Sequence, residues 1–230
     1  MQIMGLEFYE AFEQMAAGLA HEVRNPLSLV QASIALLELN ETADDIRRRY
    51  SVMRRELDRA NCALTELMHL AKPAPHERDR TPLSLNELLC RLIDTLRSAY
   101  GNAVTFALDS AAGDYIIRAD KESLLRLFHN VLKNAIESVT EARTDGSGLI
   151  HLALAATDGF ITITITDNGC GLTEEENKHA SEPFFTTKAC GTGLGLHISR
   201  AAAEAHGGTL TIQGTAGIGC TVTIRLPLMS

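Results

Sequence analysis

Two apolar stripes at helical spacing, one directly after the other, constrain this chain more than any other feature. Between about residues 6 and 40, Phe12, Met15, Leu19, Val23, Val30, Ile34 and Leu37 recur mostly at intervals of three and four. That is the pattern of a helix with one buried face. Ile46, Tyr50, Met53, Leu57, Ala60, Leu64, Leu67 and Ala71 then alternate four and three throughout. Asn40 is a stop signal, and Thr42 with Asp45 is a weak capping box for the second helix. Pro26 falls inside the first helix and predicts a bend or loosened turn just before it. The expected element is an antiparallel helical hairpin. A hairpin this long cannot bury both apolar faces alone. It can pack on the rest of its chain, or two copies can pair into a four-helix bundle. Heptad-like spacing along the whole seam favours pairing, hence a homodimer.

Lys72-Pro73-Ala74-Pro75 ends the hairpin, and a polar run to Arg80 continues it. Prolines favour an extended linker. The expected domains are 1–72, a linker at 73–82, and 83–230. In the second domain, Ser84-Leu85-Asn86-Glu87 caps a helix to about Ser98. Strands are predicted near 104–108 and 115–118, and Asp120 caps a helix through about Ala142. Residues 149–155 and 160–166 form a strand pair turned by Asp158-Gly159. A loop-rich stretch precedes a helix from about Thr192 to Ala205, stopped by Gly207-Gly208. A final hairpin spans 209–213 and 220–226. Helices on one face of a mixed sheet make an α/β sandwich.

Composition narrows the function. The chain has 230 residues and a net charge of −8, with no Lys/Arg-rich run, which argues against nucleic-acid binding. Trp is absent, so base-stacking platforms are not expected. The cysteines number five and form no C-x-x-C pair, as in a reduced cytosolic protein. No run of about 18 apolar residues or signal peptide is present, so this stretch is expected to be soluble and cytoplasmic. It is equally compatible with being cut from a longer protein anchored to the cell membrane.

The chemistry sits in separate motifs. His21 lies between stripe positions Leu19 and Val23, so at about 100° per residue it points away from the seam. Glu22 is placed to take its proton as it attacks, and Asn25, one turn on, to position a phosphoryl oxygen or a water. Asn130 and Asn134 share one helix face. Their amide oxygens suit Mg²⁺ held mainly by nucleotide phosphates, with Asn134 as the metal ligand and Lys133 near enough to help with phosphate charge. Asp167-Asn168-Gly169-Cys170-Gly171 follows a strong strand. Its carboxylate suits an adenine amine, and Gly169 and Gly171 let backbone approach the base. Gly191-Thr192-Gly193-Leu194-Gly195-Leu196 opens a helix whose amides suit phosphate. It is neither a P-loop nor a dinucleotide fingerprint. Between these loops, Glu182-Pro183-Phe184-Phe185-Thr186-Thr187-Lys188 reads as a lid anchored by Phe. A nucleophile in one place and an ATP site in another point to phosphorylation of the protein's own histidine.

Together, in order and separation, these residues resemble the sensor histidine kinases of two-component systems over about residues 8 to 228. His21–Pro26 resembles the phosphoacceptor box, Asn130–Ala135 the N box, Asp167–Gly171 and Gly191–Leu196 the glycine boxes, and Glu182–Lys188 the F box. The resemblance implies a dimerisation and phosphotransfer hairpin followed by an ATP-binding domain of the Hsp90/gyrase-like type. It implies phosphorylation of His21 with Glu22 as base, Mg²⁺ on Asn134 assisted by Asn130, and adenine read by Asp167. Phe184, Thr187, Lys188, Gly191, Thr192, Gly193, Leu194 and Gly195 would close around the nucleotide. Thr221 matches the family's late threonine near the adenine pocket. Local wording is most similar to the sporulation kinases of endospore-forming bacteria, with the nitrogen-regulation kinases next. That branch implies transfer to a response-regulator receiver aspartate and a small protein inhibitor binding the hairpin. Arg126 stands where Gln is common, and His179, Ala180 and Ser181 where larger apolar residues precede the F box. The alternatives are a response-regulator phosphatase with Asn25 orienting water, a non-catalytic dimeric scaffold, and an ATP-driven clamp.

Overall fold

Strand alternation and helix caps organise the larger part of the chain. A computed structural model describes residues 23, 25–32, 34, 45–54, 56–57, 60, 80–110, 113–180, 182–183, 185–188 and 193–229. The chain divides into two compact units, residues 1–73 with 186–192, and residues 74–185 with 193–230.

In the first unit, residues 25–32 (α1) and 45–54 (α2) are helical, and Pro26 is accommodated inside α1. Val30, Met53 and Ala60 of the two stripes are buried, whereas Ile34, Ile46, Tyr50 and Leu57 of the same stripes are exposed in the single chain.

The second unit runs β1 (Thr81–Ser84), α3 (Leu85–Tyr100), β2 (Val104–Ser110), β3 (Ile116–Ala119), α4 (Lys121–Ala142), β4 (Gly148–Thr157), β5 (Phe160–Asp167), α5 (Glu174–His179), α6 (Gly195–Ala205), β6 (Thr209–Thr215) and β7 (Gly219–Pro227). The main sheet has the order β2-β4-β5-β7-β6, and β1 pairs only with β3. The β2–β4 pair is parallel, and the other pairs of the main sheet are antiparallel. Period-two sequence makes this a one-sided sheet: Ile161, Ile163 and Ile165 are buried, while the threonines between them are half-buried. Against that apolar face lie Leu85 and Leu89 of α3 and Leu124, Leu127, Phe128, Leu132 and Ile136 of α4. Full burial of each large side chain contributes about 1.5–3 kcal/mol.

The caps are those the sequence signals. Ser84 accepts from the Glu87 amide at 3.2 Å, and Asp120 accepts from the Ser123 amide at 2.9 Å. Three elements differ from expectation. Thr81 and Pro82, placed in the linker by sequence, begin β1. The stretch after β5 was expected to be loop-rich, yet it contains α5, started by a full capping box between Thr173 and Glu176. This helix buries none of its residues, so it carries no apolar stripe to betray it. Finally, α6 begins at Gly195 rather than near Thr192, because Gly193 takes φ +71° and breaks the helical run.

Candidate functional site

Asp167 is the last residue of β5 and has the same parity as Ile161, Ile163 and Ile165, so its side chain lies on the helix-facing side. It is only 8% exposed. Its Oδ1 accepts from the Gly169 amide at 2.9 Å and from the Cys220 amide at 3.3 Å. The loop that follows is pinned on both sides. A Cβ on Gly169 would fall 2.1 Å from Ser138 Oγ, and one on Gly171 would fall 1.9 Å from the Thr215 carbonyl oxygen. The Cys170 amide donates to Ser138 Oγ at 3.0 Å. Asn168 ties the loop to β4 by accepting from the Leu149 amide at 2.8 Å and donating to the Ser147 carbonyl at 3.0 Å. These contacts hold the acid at the end of its strand.

Helix α4 joins the separate motifs. Asn130, Asn134 and Ser138 recur at intervals of four and share one face. At one end of this row, Asn130 Nδ2 donates to the Gly195 carbonyl at 3.4 Å, an oxygen that also accepts from Ser199 Oγ at 2.8 Å. At the other end, Ser138 holds the loop after Asp167. Leu194 is fully buried, anchoring the start of α6. Lys133 is half-exposed and lies 3.9 Å from Glu137. Burial first, and the charge of Lys133 second, lower the pKa of His129. Burial likewise lowers that of His197 on α6. Neither imidazole therefore adds positive charge near neutral pH.

The sequence points to Thr221, and the structure engages its hydroxyl across the sheet. Thr221 pairs with Thr166 across β5 and β7, and their hydroxyls meet at 3.1 Å. Thr166 has the opposite parity to Asp167, so this pair lies on the other face of the sheet. The residue that reaches Asp167 is Cys220. Cys220 and Ser138 are the site neighbours that sequence reasoning missed. The Asn-x-x-x-Asn-x-x-x-Ser row on α4 was a readable signal for Ser138, while nothing local marks Cys220. A cavity of about 740 Å³ opens between α5 and the β6–β7 turn, lined by Asp167, Cys220, Thr166, Thr221, Gln213 and Lys178 among others. None of the α4 asparagines lines it.

Asn25 is exposed on α1. Thr187 is exposed and Lys188 half-buried; both belong to the first unit, where the Lys188 amide donates to Thr186 Oγ1 at 3.2 Å. His21, Glu22, Phe184, Gly191 and Thr192 lie outside the described residues. Among the described residues no three His, Cys, Asp or Glu side chains group to hold a metal, and no helix is long and apolar enough to cross a membrane. A divalent cation held mainly by phosphate and water needs few protein ligands. The donor set of neutral amide oxygens fits such a cation.

A sheet covered by helices on one face, with a buried acid and a glycine-rich loop pinned to α4, defines an ATP-binding module. The family described as "Histidine kinase-, DNA gyrase B-, and HSP90-like ATPase" matches residues 119–230, and "His Kinase A (phospho-acceptor) domain" matches residues 13–75. The chain is 33% identical to sporulation kinase B of Bacillus subtilis, over 98% of this chain and 52% of that protein. It is 34% identical to the signal transduction histidine-protein kinase AtoS of Escherichia coli, over 94% of this chain and 34% of that protein. A mycobacterial sensor histidine kinase, MprB, superposes with TM-score 0.57 at 26% identity, over 65% of this chain and 97% of that one. The chain belongs to the sensor histidine kinases. It spans about half the length of sporulation kinase B and a third of AtoS.

Proposed function

We propose that the chain is the phosphorylating core of a two-component or phosphorelay protein. It binds ATP in the second unit, transfers the γ-phosphoryl group to His21, and passes it to a receiver-domain aspartate of a response regulator. The observation that carries this reading is the buried Asp167 carboxylate. Two backbone amides fix it on a loop pinned to the same α4 face that bears Asn130 and Asn134. In this reading Asp167 accepts from the adenine amine, and the backbone around Gly169 and Gly171 passes close to the base. Asn130 braces the start of α6, where Gly193, Leu194 and Gly195, with Gly191 and Thr192, face the phosphates. Phe184, Thr187 and Lys188 belong to the lid, and Lys133 contributes positive charge. Cys220 replaces Thr221 as the partner of the adenine-reading acid.

Asn134 is the residue to hold Mg²⁺, which when bound would neutralise charge on the transferring phosphoryl group. His21 is the nucleophile, Glu22 accepts its proton, and Asn25 orients the incoming group. Positioning and charge neutralisation supply most of the acceleration. The exposed stripe residues Ile34, Ile46, Tyr50 and Leu57 support pairing of two hairpins into a four-helix bundle, which burial of such side chains would stabilise. The division proposed is a hairpin over 1–72, a linker that starts at 73 and, expected to reach 82, ends where β1 begins at Thr81, and an ATP-binding domain from there to 230. Relatives named sporulation kinases B, E and C, at 32–33% identity, support a role in sporulation initiation. A small protein inhibitor on the hairpin and a membrane-anchored full-length protein belong to the same reading.

The test is incubation with γ-labelled ATP and Mg²⁺. Label lost in acid and kept in alkali, and absent from His21→Gln while nucleotide still binds, is the expected result. Label surviving in His21→Gln would remove His21 from the scheme. Exposure of Asn25 on α1 also favours a second reading, regulator dephosphorylation. Tight ATP binding with no label, together with regulator dephosphorylation lost in Asn25→Ala, would select it.

A further inference from the structure

Helix α5 ends on a histidine set between two carboxylates. His179 Nδ1 lies 3.0 Å from Glu182 Oε2, and its Nε2 lies 3.4 Å from Glu175 Oε1. Its ring centroid is 5.9 Å from that of Phe185, with the planes tilted by 39°. A neutral imidazole has one N–H and can donate to only one of these carboxylates. The imidazolium donates to both. Backbone turns run the same way: the Glu182 amide donates to the His179 carbonyl at 2.8 Å, and the Phe185 amide to the Glu182 carbonyl at 3.3 Å. One side chain therefore ties the end of α5 to the first residues of the F box and lies beside the ring of Phe185.

We propose that His179 is a positioning residue for the nucleotide lid, whose imidazolium bridge from Glu175 to Glu182 seats Phe185 and makes nucleotide affinity follow protonation of this side chain. The inference rests on the nucleotide-site reading above. It also explains why a polar residue stands just before the F box: the ring supplies the contact and the charge supplies the tether. The hydrogen bond to Glu182 and then its charge raise the pKa of His179, desolvation opposes them, and Glu175 adds a smaller raising effect. The bridge is therefore complete at acid and neutral pH and is lost as pH rises through that raised value. The other charged groups on α5 do not replace it. Lys178 lies 3.3 Å from Glu175, and Glu176 is engaged by Thr173 in the capping box.

The test measures affinity of the full chain for a fluorescent ATP analogue with Mg²⁺ from pH 5.5 to 8.5. The proteins compared are wild type, His179→Phe, His179→Gln and Glu182→Gln. Phe keeps the ring contact and removes titration, and Gln removes both ring and charge. Wild-type affinity is expected to fall about two- to five-fold as pH rises across the range, the scale of an exposed ion-pair bridge. His179→Phe should give a flat profile at the weaker, high-pH wild-type value, His179→Gln a flat and still weaker one, and Glu182→Gln a transition at lower pH. In autophosphorylation the KM for ATP should follow the same profile while kcat does not. His129 and His197 titrate in every variant, so the comparison with His179→Phe removes their contribution. Superimposable profiles for wild type and His179→Phe overturn the inference and leave the nucleotide site standing. Absence of nucleotide binding in wild type at every pH overturns both.

Discussion

Replacing Gly171 by Ala tests whether close approach of the loop after Asp167 to β6 shapes the site. Gly171 has φ +72°, and a Cβ there would lie 1.9 Å from the Thr215 carbonyl oxygen and 2.6 Å from its carbon. Gly159 in the β4–β5 turn is a matched control, with φ +76° and nothing within 4 Å of its would-be Cβ. Left-handed backbone costs an alanine about 1–2 kcal/mol at either position. Only Gly171 adds a clash, and with backbone rather than with a side chain that can rotate away. Relief requires moving the loop or β6, which adds about 1–3 kcal/mol by analogy with overpacked cores. For a chain of this size one kcal/mol shifts the melting temperature by about 2–4 °C. Gly159→Ala should therefore lower it by about 2–8 °C, and Gly171→Ala by about 4–20 °C. Both are read by thermal unfolding in far-ultraviolet circular dichroism. Because Asp167 depends on this loop for an amide donor, Gly171→Ala should also weaken nucleotide binding by about tenfold or more, with Gly159→Ala within about twofold. Equal losses of stability in the two variants, with nucleotide binding intact in both, would refute the argument from close approach.

Thr221→Val should leave nucleotide affinity within about twofold, since its hydroxyl meets Thr166 at 3.1 Å on the other face of the sheet. Asp167→Ala should lose about 10- to 150-fold, the range for a hydrogen bond to a charged group. Comparable losses in titration calorimetry would put Thr221 back in the adenine pocket. His206 is buried, with Nδ1 2.7 Å from the Ala202 carbonyl and Nε2 3.1 Å from the Asp120 amide, which donates to it. That pairing requires the neutral, Nδ1-protonated ring, and burial lowers its pKa. The unfolded chain then binds the proton more readily. This contribution to stability is complete above the unfolded value near 6.5 and is lost as pH falls below it. Imidazole ¹⁵N shifts should show the neutral, Nδ1-protonated ring persisting to lower pH than in a free histidine, and protonation at or above the free value would contradict the assignment.

Much of the second unit was legible because its signals are local. Phe-Ile-Thr-Ile-Thr-Ile-Thr-Asp states both the strand and its buried face, and Ser84, Asp120 and Asp158-Gly159 mark starts and turns within three or four residues. The spacing of Asn130 and Asn134 predicts a shared face because a helix repeats every 3.6 residues. Helix α5 was missed because six residues without a buried side chain leave only Thr173 and Glu176 as a signal.

The sequence by itself determined the chemistry available: an acid after a strand, two amides on a helix, glycines where backbone must come close, and a histidine beside a carboxylate. Tertiary structure decided which of these groups meet. Cys220 rather than Thr221 reaches Asp167 across 53 residues of chain, because the β5–β7 register sets Thr166 opposite Thr221. A slip of one residue would exchange the two faces. Ser138 meets the loop after Asp167, and His179 meets Phe185, through folding of segments whose local patterns state only helix or loop. Register and close packing are properties of pairs of segments, and neither segment alone encodes the distance between them.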